Sequence, residues 1–248
     1  MRSLKSLHSQ NIGTRNMIPT VPIVYEHSDF YIVNKPVGLT MHDVHHGIIP
    51  RLCKQTGMSS LYLVHRLDDK TSGCIILAKN NSAASEFGRL FEQHAVQKYY
   101  VAIINSKPKK KQGKICGDML KSRNGSYKLS TLQTNPALTY FFTRSIQAQI
   151  NVSSEIARPA LRIVYLQPKS GKTHQLRVAL KSLGSPILGD DRYKGSQSDR
   201  MYLHSYKLDF KYKGTSISVS CKPCEGKVFA LLNDEHYSEF DKLAWPKA

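Results

Sequence analysis

"LVHRLDDKTSGCIILAKN", residues 63–80, crowds His65, Arg66, Asp68, Asp69 and Lys70 against an apolar run that starts at Cys74. Thr71-Ser72-Gly73 reads as a turn, and "GCIILA" (73–78) after it reads as a strand. In an extended segment residues two apart point to the same side, so Arg66 and Asp68 share a surface while Leu67 turns away. A guanidinium beside a carboxylate lowers its pKa and keeps it ionised, as a nucleophile or an electrostatic stabiliser requires. An ordinary structural ion pair would have the same pattern.

Working outward, "FYIV" (30–33), "YYVAII" (99–104), "ALTYFF" (137–142), "LRIVYL" (161–166) and "SISVS" (216–220) also predict strands. Helical spacing occurs in residues 82–95, with Ala84, Phe87, Leu90 and Phe91 on one face, and in residues 173–183, ended by Gly184. A third short helix is expected through Val228, Phe229, Leu231 and Leu232. Strands in runs, without regular βαβ alternation, predict an α+β fold with a largely antiparallel sheet. The 248 residues suit one catalytic domain over 20–248, preceded by a basic tail at 1–19 that contains no acid.

Lys and Arg total 36 against 18 for Asp and Glu, a net charge of +18, so an acidic polymer is the expected partner. Nucleic acid is favoured over a membrane surface, because no basic amphipathic helix with a broad apolar face stands out. "SKPKKKQGK" (106–114) lies between two predicted strands and is expected to be an exposed basic loop. Its Lys109, Lys110 and Lys111 would track phosphates and add affinity that salt weakens. No apolar run approaches the ~18 residues that cross a bilayer. Five widely spaced cysteines without a signal peptide point to a reducing, cytoplasmic setting. Cys221 and Cys224 have C-x-x-C spacing, but with no second pair they read as thiols at a strand end and not as a zinc site.

A second cluster lies in "SGKTHQLRVALKSLGSPILGDDRY" (170–193). A Gly-Lys-Thr turn opens the predicted helix and places Lys172, Thr173, His174 and Arg177 around its start, where free N–H groups favour phosphate. A P-loop is excluded, because its first glycine would fall at Leu166. A kinase is excluded too: His65-Arg66-Leu67-Asp68 transposes the H-R-D-L order, and Ile104 stands where the kinase lysine belongs. The doubled acids Asp68-Asp69 and Asp190-Asp191 leave a magnesium-dependent nuclease as a competing reading.

"SDFYIVNKPVGLTMHD" (28–43), the 63–80 block, "QKYYVAI" (97–103), "GKTHQLRVALKSLGSPILGDDRY" (171–193) and "MYLHSYKLDF" (201–210) occur in one order and span most of residues 20–232. Together they resemble the RluA family of RNA pseudouridine synthases. Gly38, Gly73 and Gly189 fall in turns that suit a residue without a Cβ. The resemblance implies a mixed, mostly antiparallel sheet with a central catalytic cleft. It also implies isomerisation of uridine to pseudouridine in structured RNA, ribosomal or transfer. No cofactor, metal, membrane or obligate protein partner is implied, and a monomer is expected.

Residue by residue, Asp68 matches the family's catalytic aspartate, a nucleophile toward the sugar or the base. Arg66 matches the arginine that helps displace the target base and fill its gap, a step costing a few kcal/mol. Tyr100 matches the K-x-Y tyrosine whose ring packs on the flipped uracil, and Arg177 the arginine that orients the carboxylate. His65, Lys98, Lys172 and His174 are expected to contact substrate. Lys172 stands where the family often has arginine, and Asp69 and Lys70 are in exchanged order. The first family block begins within about thirty residues, leaving no room for an amino-terminal S4 domain. A non-catalytic RNA-binding protein on the same scaffold would need the basic surface but not Asp68.

Overall fold

The computed structural model describes residues 20–146 and 161–246; the 1–19 tail lies outside them. The chain opens with β1 (Ile23–Glu26), β2 (Phe30–Lys35), α1 (Ile48–Thr56), β3 (Tyr62–Leu63), β4 (Ser72–Ala78) and α2 (Asn81–Glu92). It continues with β5 (Gln97–Ile104), β6 (Gln112–Lys121), β7 (Tyr127–Leu129), β8 (Pro136–Ser145), β9 (Arg162–Pro168) and α3 (Gln175–Ser182). β10 (Leu203–Tyr212), β11 (Thr215–Ser220) and α4 (Asp234–Asp241) complete the described chain.

The strands form one sheet in the order β1-β2-β4-β10-β5-β9-β8-β6-β7, with β3 beside β4 and β11 beside β10. The pairings are antiparallel except between β4 and β10, which run parallel through His204–Ser72 and Ser205–Gly73. The same stretch of β10 pairs antiparallel with Val101 and Tyr100 of β5. The start of β10 therefore bridges the strand that follows Asp68 and the strand that carries Tyr100. Gly73 makes this join possible: its φ is +111°, and a Cβ there would lie 2.2 Å from the Ser205 carbonyl oxygen.

The sheet is covered on both faces, which explains why its central strands read as continuous apolar runs. Every residue of β2 and β4 is buried. Tyr31, Val33, Ile75 and Leu77 pack on one face with Ile48 and Leu52 of α1, Leu180 of α3 and Phe240 of α4. Phe30, Ile32, Cys74 and Ile76 pack on the other with Phe87 and Leu90 of α2.

The expected α+β, mostly antiparallel architecture is present, with local corrections. The helix expected over 82–95 ends at Glu92, and His94 beyond it adopts a left-handed φ of 56°. The helix expected through 228–232 is only a 3-10 turn at Phe229–Leu231. The helix itself is α4, started by a reciprocal cap between Asn233 and His236. The basic loop is shorter than 106–114, since residues 112–114 already pair with Phe142, Phe141 and Tyr140 of β8. α1 was hidden by Pro50, a residue that breaks helix interiors but is tolerated in a first turn.

Candidate active site

Around Leu67 the 63–80 segment alternates as expected, with Leu67 buried, Arg66 exposed and Asp68 half-buried, but the turn falls at Asp69-Lys70, and Ser72 and Gly73, expected in the turn, already pair within β4. Thr71 N–H donates to the Asp68 carbonyl at 2.9 Å, which forms the turn into β4. The segment is also anchored from β2. The Lys35 ammonium, fully buried, donates to the carbonyls of Pro36 at 3.0 Å, Leu39 at 2.8 Å and Asp69 at 3.0 Å. Burial pulls its pKa down to about 8.

Arg177, buried on α3, reaches Asp68 from the opposite side. Its Nε and Nη2 each donate at 2.8 Å to the two oxygens of Asp190, whose side chain is fully buried, and its Nη1 donates to Asp68 Oδ2 at 3.2 Å. The partner of the Asp68 carboxylate is thus Arg177. Arg66, which the two-residue spacing suggested, forms no ion pair with Asp68.

His174 stands at the entry to α3 with φ 58°, a backbone state that costs a non-glycine residue about 1–3 kcal/mol. Its Nδ1 lies 2.9 Å from the Tyr193 hydroxyl, and its Nε2 lies 3.9 Å from Asp68 Oδ2. The Tyr193 oxygen accepts Tyr127 N–H at 3.0 Å, an arrangement that suits donation of the hydroxyl hydrogen to Nδ1 and the His174 tautomer with its proton on Nε2, toward Asp68. Burial holds the imidazole pKa below its ordinary value, against the opposing pull of Asp68. The ring is neutral at pH 7.

Asp68, His174 and Arg177 line a cleft of about 480 Å³ together with Tyr100, Lys98, Phe91 and Lys172. Arg66, Asp68, His174 and Arg177 also line an adjoining hollow of about 530 Å³ that extends to Asn124 and Arg192. Asp68 therefore lies where two hollows meet. Burial raises the Tyr100 pKa far above that of free phenol, so the side chain works as an intact hydroxyl and an aromatic face. His65 lines the cleft, but its Nε2 accepts Ile76 N–H at 2.9 Å and its ring packs on Phe91 with centroids 4.6 Å apart. Burial pulls its pKa to about 3, so it is a neutral part of the wall. Lys172 Nζ donates to Asn135 Oδ1 at 2.8 Å. Lys109, Lys110 and Lys111 are exposed and line neither hollow, so the fold does not bring them to this site.

The doubled acids do not form a metal pair. Asp190 is committed to Arg177, and Asp191 takes the Lys70 ammonium at 2.9 Å. Among the described residues no three His, Cys, Asp or Glu side chains gather as metal ligands. Cys221 faces Cys74, with sulfurs 3.0 Å apart, inside the second core and away from any such set.

Residues 29–182 match the family described as RNA pseudouridylate synthase. The chain belongs to this family. It is an RNA pseudouridine synthase, an isomerase of uridine within RNA. An uncharacterized RNA pseudouridine synthase of Haemophilus influenzae is 47% identical over 211 residues, 84% of this chain and 89% of that one. The ribosomal large subunit pseudouridine synthase C of Rickettsia bellii is 29% identical over 83% of this chain and 69% of that one. Among solved structures, human RNA pseudouridylate synthase domain containing 1 superposes with a TM-score of 0.72 at 23% identity, covering 93% of this chain and 100% of that chain. That likeness concerns the fold.

Three participants of this pseudouridine synthase site went unread in the sequence. Asp190 was visible only as half of a doubled acid, and Tyr193 had no signal beyond its place in the 171–193 block. Lys35 likewise had no signal beyond its place in the 28–43 block, because a lysine beside an apolar run reads as a strand end.

Proposed function

We propose that this pseudouridine synthase acts on ribosomal RNA, with Asp68 as its nucleophile. The observation that carries the reading is a half-buried carboxylate, ion-paired to Arg177 at 3.2 Å, in one cleft with the buried ring of Tyr100. Asp68 Oδ1 makes no hydrogen bond with another described residue and is the oxygen available to substrate. A uridine in a duplex is out of reach of such a site, so the base is flipped into the cleft. Exposed Arg66, at the rim, would occupy the gap left in the stack. Tyr100 offers its face to the uracil and its hydroxyl to the base.

The reaction breaks the bond from N1 to ribose C1′ and forms one from C5 to C1′. The C5 proton leaves and N1 gains one, so the atoms balance without oxidant or reductant. Asp68 supplies its electron pair to the sugar or the base and recovers it on release. Arg177 holds the carboxylate in place throughout, and the Nε2–H of His174 adds a second donor on the same side. The ribosomal substrate class is supported by the name of the Rickettsia relative, while the +18 charge suits RNA of any class, and a ribosomal substrate carries a cytoplasmic location with it. Among the described residues no helix is long and apolar enough to cross a membrane.

The test is tritium release from ribosomal and small RNA labelled at uridine C5, taken from cells lacking this gene. Wild-type protein should release tritium from the ribosomal fraction, and Asp68→Asn should bind RNA but release none. Release confined to small RNA would reassign the substrate to transfer RNA. Release by Asp68→Asn would remove the nucleophile, and none by either protein would favour a non-catalytic RNA-binding role.

A further inference from the structure

Lys98 is a charged cleft residue that the reaction above leaves unused, and unlike Lys172, which donates to Asn135, it has no polar partner among the described residues. It projects from β5 into the same cleft as Tyr100, two residues along the strand and so about 7 Å away on the same face. Its side chain is half-buried, and desolvation lowers its pKa. Among the described residues no carboxylate lies within ion-pair distance and no acceptor takes a hydrogen bond from its Nζ. Glu92 lines the cleft but does not pair with it. Its Nζ lies 6.0 Å from the centroid of the Phe91 ring. His65, whose neutral ring stands on the same wall, supplies no counter-charge. A partly desolvated ammonium without a partner is costly, and an anionic ligand in the cleft would offset that cost.

The opposite side of the ammonium is open. Gly171 is the residue there, and a Cβ on it would lie 3.7 Å from Lys98 Nζ. Gly171 has no left-handed φ, so its backbone does not require glycine. What the missing side chain provides is room beside the charge. The Gly171 N–H has no acceptor among the described residues and adds a second donor at this point.

We infer that Lys98 and the Gly171 turn form a seat for a phosphate group attached to the flipped uridine. The inference rests on the reading of this cleft as the uridine site. A base against Tyr100 and an anion against Lys98 are separated by about the span of one nucleotide. Neutralisation of the ammonium by that phosphate couples base flipping to a contact that only a phosphorylated nucleoside makes. The group is a phosphate on either the 5′ or the 3′ oxygen of the target nucleoside.

The test titrates uridine, uridine 5′-monophosphate and uridine 3′-monophosphate into wild-type protein, Lys98→Gln and Lys98→Arg, followed by NMR. One monophosphate should bind wild type about tenfold more tightly than uridine does, consistent with a hydrogen bond to a charged group. Which one does so identifies the oxygen. Lys98→Gln should lose this preference while keeping its affinity for uridine, and Lys98→Arg should regain it. Thermal unfolding of Lys98→Gln should be no earlier than that of wild type, since a desolvated charge is removed. Equal binding of all three ligands by wild type, or a preference that survives in Lys98→Gln, overturns the seat. Tritium release from RNA by the same wild-type sample separates the two readings: activity without a phosphate preference refutes the seat alone, and no activity refutes the isomerase reading on its own terms.

Discussion

Arg177 divides its guanidinium unequally between two carboxylates: two N–H groups go to Asp190 at 2.8 Å, and one goes to Asp68 at 3.2 Å. The planar fork is fixed by the fully buried partner, and an Nη1–H is thereby aimed at the Asp68 carboxylate. Asp190 thus positions Asp68 without touching substrate. Asp190→Ala would leave Arg177 buried with only Asp68 to neutralise it, and is expected to destabilise the fold by about 3–5 kcal/mol in urea unfolding. Asp190→Asn should keep the fold better while lowering kcat more than it raises KM. Full activity in Asp190→Asn would show that Arg177 needs no fixing.

Tyr193 is expected to act through His174. Tyr193→Phe keeps the ring that packs under Arg177, 5.0 Å from the guanidinium carbon, but removes the hydrogen given to His174 Nδ1. The loss of about 1 kcal/mol should appear as roughly fivefold in kcat with RNA affinity unchanged. His174→Gln, which keeps a side-chain donor, should retain more activity than His174→Ala. Equal activity of the two histidine variants would remove the Nε2–H from the mechanism.

Lys35 gives the fold a pH dependence of predictable sign. Its folded pKa is about 8, against an ordinary 10.5 in the unfolded chain. Between these values the unfolded state binds more protons, so stability rises with pH. The contribution is complete above 10.5 and is lost as pH falls through 8. Relative to Lys35→Met, which cannot titrate, wild type should gain up to about 1.4 kcal/mol per pH unit across that window. Urea unfolding of both proteins at several pH values measures it, and a constant difference would mean that the ammonium is not desolvated.

The lysines at 109–111 are exposed and outside the lining of the cleft, so their expected effect is electrostatic and independent of sequence. Replacing all three with glutamine should reduce the slope of log affinity against log salt by about 2 if each meets a phosphate of single-stranded RNA. Filter binding over a salt series checks this. An unchanged slope would place the RNA path on another face.

The sequence by itself determined the strand-rich architecture, because burial on both faces writes β2, β4, β5 and β9 as apolar runs too short for helices. It also put Arg66 and Asp68 on one side of Leu67, because that alternation is local, whereas Asp68 became the nucleophile candidate only through the resemblance of the motif blocks to the family. β10 was less legible, since "LHSYKLDFKY" mixes charge into a strand whose ends reach the rim. Only the tertiary structure decided the pairing of charges. Asp68 meets Arg177 across 109 residues of chain, and Lys35 meets the Asp69 carbonyl across 34. Proximity in sequence suggested Arg66 for Asp68, but a side chain at the rim and one at the base of a cleft need not touch. The two-residue parallel join at Gly73 is likewise a product of backbone approach, set by what a missing Cβ permits and legible only once Ser205 stands opposite.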